Sequence, residues 1–548
     1  MPICPLTGLQ FEHHELERRH YERFGFPLPD IHPIARLALR VAHGNNWSLY
    51  WTSDVRTGKK LLSCFDPKEG LSIVDHHYWT SDEFDAKVYG REFDFSRGFF
   101  EQYFEMAQST PRPNVQIVNC TNVEYANHVF NSKNCYLCFI CFDSENVLYS
   151  FRVRQCRESM YCVNSKDCEL CYSCLHCNEC YDVQFSEFSK NCTTSRFLSN
   201  CNNCVDCYQC VNLRDKQYCI QNDQYTKEGY DARMKEIDLS SYQHLKREYA
   251  LWKKFLDSQP IQAEHAVNCE DSTGTLLKNC RSCIFCSNLS NAEQCVNSFG
   301  NNQVECCDTS GEGSEGGIMN VGFLDSQRVA FTMVAEHSYD IWYSQQIFQS
   351  HDCFGCLGLK KSAYCILNKE YTREEYVRLK DRIIEHMKNR GEWGQYFPAQ
   401  YSPFCYDDTN VVGVLDSEFQ DYRVVAQQMG LRTRTSAEEK TPGAVGVAEM
   451  KDRCDEWGTS DLDRVWACEK SGRAFKITSQ ELRLYQRMRV PVPRVSWRTQ
   501  FEVCAPMMYP IPHEAVCATC GKNIYSYIHP SKTTRKLLCD GCFEKIRE

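Results

Sequence analysis

The chain has 548 residues, 42% of them apolar and 24% charged, with a net charge of −10 at pH 7. That composition excludes a disordered protein, and the acidic balance argues against one that wraps nucleic acid broadly. The outlier is cysteine, at 37 residues, a density normal in short secreted disulfide scaffolds but not in a chain long enough to bury several cores.

The first residues, MPICPLTGLQFEHHELERR, carry charges where a secretory signal needs an apolar run, and no stretch of 18 apolar residues occurs. A cytoplasmic protein without membrane spans is therefore expected. In a reducing compartment, clustered thiols bind metal or pack as small hydrophobes more often than they pair.

In chain order, the first feature is a repeat of the two ends. Residues 4–29 match 468–493 without gaps: Cys4, Gly8, Phe11, Glu17, Tyr21, Arg23, Pro27 and Pro29 recur as Cys468, Gly472, Phe475, Glu481, Tyr485, Arg487, Pro491 and Pro493. Further on, Gly58, Lys59, Ser63 and Pro67 pair with Gly521, Lys522, Ser526 and Pro530 at an offset of 463. The termini thus read as two copies of one module.

The middle is duplicated as well. CYQCVNLRDKQYCIQNDQYTKEGY (207–230) matches CFGCLGLKKSAYCILNKEYTREEY (353–376), and NCYLCFIC (134–141) resembles NCRSCIFC (279–286). Each half runs from a Cys-rich segment into a helix. In the second helix Thr372 and Glu375 form a capping box, Gly391 is the stop, and Tyr376, Leu379, Ile383 and Met387 share a face that reads as core packing. DTSGEGSEGG (308–317) reads as a Gly-rich acidic loop without the ending of a phosphate-binding loop, and 427–453 as a flexible tether.

Between residues 120 and 219 stand 17 cysteines, every one at a position divisible by three. Cys156, Cys168, Cys180, Cys192 and Cys204 step by twelve, as do Tyr149, Tyr161, Phe185 and Phe197 around Ser173, and in the second half Cys283, Cys295 and Cys307. Neither a helix nor a flat strand has this period. A β-solenoid does, with coils of twelve residues, although coils of 18 or 24 would keep the same phase. Asn or Asp often precedes the cysteine (Asn134, Asp167, Asn191, Asn203, Asp206, Asn279), a residue type that tolerates the left-handed corner. Cysteine would fill an interior too narrow for leucine. Zinc in the CxxCxxC runs, iron–sulfur clusters and cross-coil disulfides are the alternatives. The even run Cys168–Cys180 lacks the break that ferredoxin-type ligation uses.

The fold class expected is mainly β: a duplicated Cys-rich β-solenoid, or β-helix, each half ending in α-helix, flanked by two homologous zinc-ribbon-like α+β modules. Its divisions are a degenerate module at 1–110, solenoid halves at 111–260 and 261–395, a linker at 396–464 and a zinc-ribbon module at 465–548.

The C-terminus carries the strongest chemical signal. Cys517, Cys520, Cys539 and Cys542 form two CxxC pairs, the pattern of one closed structural Zn2+ site with no open position for catalysis. At offset 463 the same positions in the first module are Asp54, Thr57, His76 and Trp79, a poor ligand set, so no zinc is expected there. The aromatic run 93–106 is expected to supply a core in its place. His13, His14 and His77 lack partners at ligand spacing and read as surface or satisfied core residues. Residues 465–548 carry 14 Lys/Arg against 7 Asp/Glu. Arg483, Arg487, Arg489, Arg494 and Arg498 cluster with Tyr485 and Trp497, which reads either as a phosphate-binding or base-stacking surface or as a solvated helix face.

At CPLTG, PLP, YGREFDFSRGFFEQ (89–102), NCYLC and YCI-N-YT (218–226) the chain resembles the uncharacterised Cys-rich repeat proteins with terminal zinc-ribbon-like modules found in candidate-phyla-radiation bacteria. The resemblance spans most of the chain and implies the same architecture. Relatives usually carry a cysteine knuckle near position 51, which this chain lacks, and the resemblance implies no activity.

No GxSxG, HExxH or GxxxxGK[ST] motif occurs, so an enzyme is not the first expectation. The leading reading is a non-catalytic zinc-binding scaffold presenting a repeat surface to a protein partner. The alternatives are a nucleic-acid- or ribosome-associated factor acting through the basic C-terminal module, and a thiol redox or Fe–S electron-transfer protein.

Overall fold

A computed structural model describes residues 1–45, 47–162, 181–434 and 444–547. Sheet predominates, accompanied by thirteen α-helices among the described residues. The cysteine ladder positions 168–180 and Ser173 lie outside the described residues.

From Ile117 the chain alternates between two facing parallel sheets. One holds Thr121–Glu124, Lys133–Tyr136, Glu145–Leu148 and Arg157–Met160; the other holds Ile117–Val118, Asn127–Phe130, Phe139–Phe142 and Phe151–Arg154. Each strand pairs in parallel with the one twelve residues on, as Thr121 with Lys133 and Phe139 with Phe151. The same step recurs from Tyr181 to Ile220 and, in the second half, from Glu315 to Ile366. The register is thus twelve, not 18 or 24.

Backbone geometry explains the period of three. Every third residue from Asn119 to Tyr161, from Asp182 to Gln221, and from Asp325 to Leu367 has positive φ. The residue after most left-handed positions is buried, as Cys135, Cys138, Cys141, Val147 and Val153 are, with exceptions at the ladder ends such as Val123 and the exposed Lys216. Asn134, Asn191, Asn203, Asp206 and Asn279 hold the left-handed angles expected of them. Their amides also stack: Asn122 Nδ2 donates to Asn134 Oδ1 and Asn134 Nδ2 to Asn146 Oδ1, both at 2.8 Å. Tyr149 stacks on Tyr161 at 5.0 Å and Phe185 on Phe197 at 4.9 Å.

The inward thiols close hydrogen bonds that the turns leave open. Cys138 Sγ donates to the carbonyls of Tyr136 and Val147 at 3.5 and 3.2 Å, two residues back and nine ahead. Ser326 Oγ makes the same pair, to Leu324 and Ala335, at 2.7 and 3.2 Å. A small side chain with one donor therefore suits this position better than a purely apolar one. The interior is not closed to larger groups: Leu198, Leu289, Phe323 and Ile341 are buried in it.

Two expectations for the second half need correction. Leu289 pairs with Gly300 and Val296 with Cys307, a step of eleven. The missing residue puts Cys306 in line after Cys295, while Cys307 turns outward to Asp308, at 3.6 Å. Residues 308–317 are not a loop but part of strand Phe299–Leu324. Their glycines answer to crowding, since a Cβ on Gly311 would stand 2.1 Å from the Phe323 carbonyl oxygen.

The second-half helix spans Arg373–Asn389 with the Thr372–Glu375 capping box in place. Tyr376, Ile383 and Met387 are buried, and Leu379 packs partly buried beside them. The stretch read as linker carries helices Val411–Glu418 and Tyr422–Gln428, with Val411, Val414 and Leu415 fully buried, so apolar packing holds much of it in the core. Residues 435–443 of the tether lie outside the described residues.

The two terminal modules cross over. Helix Glu15–Phe24 docks on the second ladder, with Tyr21 Oη donating to Asp308 at 3.2 Å and Phe26 on Phe331 at 4.7 Å. Its copy Ser479–Met488 docks on the first ladder, where Tyr149 Oη donates to Glu481 at 2.6 Å. The aromatic run 93–106 also goes to the second ladder, through Phe99 on Tyr343 and Phe354, each at 5.4 Å. It therefore does not stand in for a metal.

Candidate metal centre and its counterpart in the first module

Strand His513–Val516 pairs with Asn523–Ser526, and the turn between them carries Cys517 and Cys520. Gly521 at φ 74 closes that turn, with its N–H on the Cys517 carbonyl at 3.0 Å. Cys539 and Cys542 flank the start of helix Asp540–Arg547. The four Sγ atoms lie within 4.8 Å of one another, and Cys520 to Cys539 is 3.8 Å. Thiolates about 2.3 Å from a tetrahedral ion have S–S edges of about 3.8 Å. Cys517 and Cys539 are buried, Cys542 is half-buried and Cys520 exposed.

Burial opposes ionisation of Cys517, but the N–H groups of Cys520, Cys539 and Thr519 overcome it and bring the thiol down to about 6. Its thiolate is therefore available near neutral pH. Neighbouring thiols Cys520 and Cys539 push Cys542 the other way, up to about 12, so binding an ion there must displace protons.

In the first module Asp54 occupies the Cys517 position. Its Oδ1 accepts the N–H of Arg56 at 2.7 Å and of Thr57 at 2.9 Å, and its Oδ2 accepts the N–H of Asp75 at 2.8 Å. One carboxylate thus ties the two turns that four sulfurs approach in the other copy. Trp79, at the Cys542 position, is buried against Phe84 and Phe348. Asp75, His76 and His77 offer ligand atoms within 4.8 Å, but Asp75 caps its helix on the His77 N–H at 2.8 Å. His13 pairs with Glu17 at 3.1 Å, and His14 caps its helix on the Leu16 N–H.

Each module joins the start of one ladder to the end of the other. Leu537 pairs with Ile261 and Leu538 with Gln262, just before the second ladder. Asp540 accepts the Ala266 N–H at 2.9 Å. From the same module Arg547 donates to the carbonyls of Asn200 and Asn212, at 2.6 and 3.1 Å, on the first ladder's last turns. The twin mirrors this. Ile73 pairs with Arg112 and Val74 with Pro113 before the first ladder, while Lys360 at the end of the second donates to the carbonyls of Trp79 and Ser81 at 2.6 and 2.7 Å.

The basic cluster is dispersed. Arg487 pairs with Glu158 at 2.9 Å, Arg494 lies 4.1 Å over Tyr242, and Arg498 pairs with Glu502 at 3.2 Å and donates to Ser48 at 2.9 Å. Tyr485 is fully buried and Trp497 packs on Phe501 at 5.7 Å. Arg483 and Arg489 remain exposed. Among the described residues no cysteine is disulfide-bonded and no trio of ladder sulfurs reaches the 4.8 Å spacing of the C-terminal four.

Two acid-containing groups escaped the sequence reading because their members are far apart in the chain. Glu17, Cys307 and Asp308 are filled by Arg36, whose guanidinium stands 2.6 Å from Glu17 and 2.8 Å from Asp308. In the group Glu418, His513 and His529 the carboxylate stands 2.8 Å from the His513 imidazole. No helix of the described residues is long and apolar enough to cross a membrane.

No protein-family model and no curated protein matches the chain. Among solved structures it is similar to one described as an acetyltransferase from Desulfovibrio desulfuricans G20, at 9% identity over 50% of this chain and 82% of that one, with a TM-score of 0.10. At that score the likeness carries no argument about fold or activity.

Proposed function

We propose that the chain is a non-catalytic scaffold: two β-solenoids side by side, locked by a zinc-ribbon module at one junction and a metal-free copy of it at the other. The supporting observation is the double clamp, in which each module holds the start of one ladder and the end of the other. The thiol set adds to it, since four sulfurs in two knuckles without an open position favour structural Zn2+. Among the described residues, ladder cysteines pack in the interior and donate to backbone carbonyls, as Cys138 and Cys201 do, which supports a structural role for them. The outer walls, with exposed stacked Asn side chains such as Asn122 and Asn191, are the surfaces offered to a protein partner.

Affinity capture of the intact chain from its native cell tests this, with proteins and nucleic acids both identified. One stoichiometric protein, lost when the chain is stripped of metal, supports the scaffold. Retention of RNA through residues 465–548 would overturn it in favour of a nucleic-acid-binding factor. Arg487, Arg494 and Arg498 are committed to contacts within the chain, which weighs against that outcome.

A further inference from the structure

The hairpin that carries Cys517 and Cys520 at its turn has a second polar cluster at its open end. His513 begins the first strand, opposite Ser526, and His529 follows the second. Glu418, the last residue of helix Val411–Glu418, reaches them from the body of the protein. Ligand atoms of the three lie within 4.8 Å of one another.

One feature of this corner points to a ligand. Glu418 Oε1 stands 2.8 Å from His513 Nδ1, an ion pair only when that imidazole is protonated, and with 10% of the side chain exposed the oxygen has no aligned hydrogen bond of its own. A buried, unpartnered carboxylate oxygen is costly unless a cation meets it.

The twin module supplies the control. At offset 463, His513 corresponds to Tyr50 and His529 to Asp66. There too a carboxylate arrives from the same stretch of the body, Asp408, which accepts from Tyr50 Oη at 2.8 Å. A cation sits in the middle: Arg434 pairs with Asp408 at 2.6 Å, stands 3.8 Å from Asp66, and also contacts Tyr50 Oη. The same corner is thus filled by a guanidinium in one copy, and in the other brings together two imidazoles and a carboxylate.

We infer that Glu418, His513 and His529 form a second metal site, for a divalent transition-metal ion of the zinc class. Two imidazoles and a carboxylate suit that chemistry. His529 Nδ1 accepts the Ser531 N–H at 3.2 Å to cap the following turn, and Ser531 Oγ is 2.7 Å from the same nitrogen. In the tautomer that carries its proton on Nδ1, that N–H donates to Ser531 Oγ and leaves Nε2 free as the ligand, the usual arrangement in which an outer hydrogen bond orients a metal-bound imidazole. The ion would pin the C-terminal module to helix Val411–Glu418 as Arg434 pins its twin. This site stands on its own residues and does not depend on the scaffold reading.

Untagged full-length chain, stripped by chelation and titrated with Co2+ and then Zn2+, tests it. The expected result is two equivalents bound per chain. The first gives thiolate-to-cobalt charge transfer, the second a cobalt spectrum without it. Glu418→Gln and His529→Ala each remove the second equivalent and keep the first. One equivalent bound by the unsubstituted chain overturns the proposal, whatever the variants do, and so do two equivalents retained by both variants.

Discussion

Asp54 stands in the first module where Cys517 stands in the last, and both draw backbone N–H groups from the two turns that a metal would join. For Asp54 the donors are Arg56, Thr57 and Asp75; for Cys517 they are Thr519, Cys520 and Cys539. One copy completes the junction with a carboxylate, the other with sulfur.

Asp54→Ala therefore leaves three N–H groups without an acceptor and is expected to destabilise the first module by about 2–4 kcal/mol. Asp54→Asn, which keeps an acceptor oxygen, is expected to cost less. Denaturant unfolding followed by the buried Trp79 reads both. A loss below about 0.5 kcal/mol for the alanine variant contradicts this assignment.

Replacing Cys517 or Cys539 by serine should remove the thiolate-bound metal equivalent and leave residues 513–547 open to proteolysis, because the module's small core depends on the ion. Elemental analysis and limited digestion check this. Retention of a full thiolate-bound equivalent in Cys539→Ser would show that the four sulfurs do not act together.

Glu481 is buried, and desolvation outweighs the hydrogen bonds of Tyr149, Tyr485 and the Thr478 N–H, raising its carboxyl to about 7 from an ordinary 4.5. Folded protein thus holds a proton that the unfolded chain releases at lower pH. The stability tied to this proton is present at acidic pH and is lost as pH rises between about 4.5 and 7. Glu481→Gln should flatten that slope and gain up to about 3 kcal/mol at pH 8 relative to the parent, if the amide keeps the contacts. Parallel slopes for the two proteins across pH 5–8 would contradict the shift.

In the ladders, Cys138→Ser should change stability by less than about 1 kcal/mol, since serine makes the same two hydrogen bonds at Ser326. Cys138→Phe should cost roughly 1–3 kcal/mol or more by overpacking. Protein purified without oxygen should be colourless. A brown, iron-containing product would contradict thiols that serve as core.

Much of this was legible in the chain because repetition amplifies weak signals. The phase of three marks a left-handed residue and the inward side chain after it, and Asn134 and Asn203 advertised the turn. The register of eleven at Leu289–Gly300 was not legible, since Cys283, Cys295 and Cys307 keep an unbroken spacing of twelve while the backbone slips past Cys307. Residues 308–317 looked like a loop because their glycines serve close strand approach rather than flexibility. Cys517 to Cys542 could be found by spacing alone. Glu418 could not be joined to His513 and His529, nor Arg36 to Asp308, because only the folded body brings them together. The aromatic run 93–106 misled for the same reason, since its partners Tyr343 and Phe354 lie in the other half.

The double clamp is tested most directly by hydrogen–deuterium exchange on the full chain with and without a zinc chelator. Removing the metal should raise exchange together at 261–267, where the second ladder begins, and at 198–213, where the first one ends, while 325–368 stays protected. Increased exchange confined to 513–547, with both ladder ends unchanged, would contradict the account.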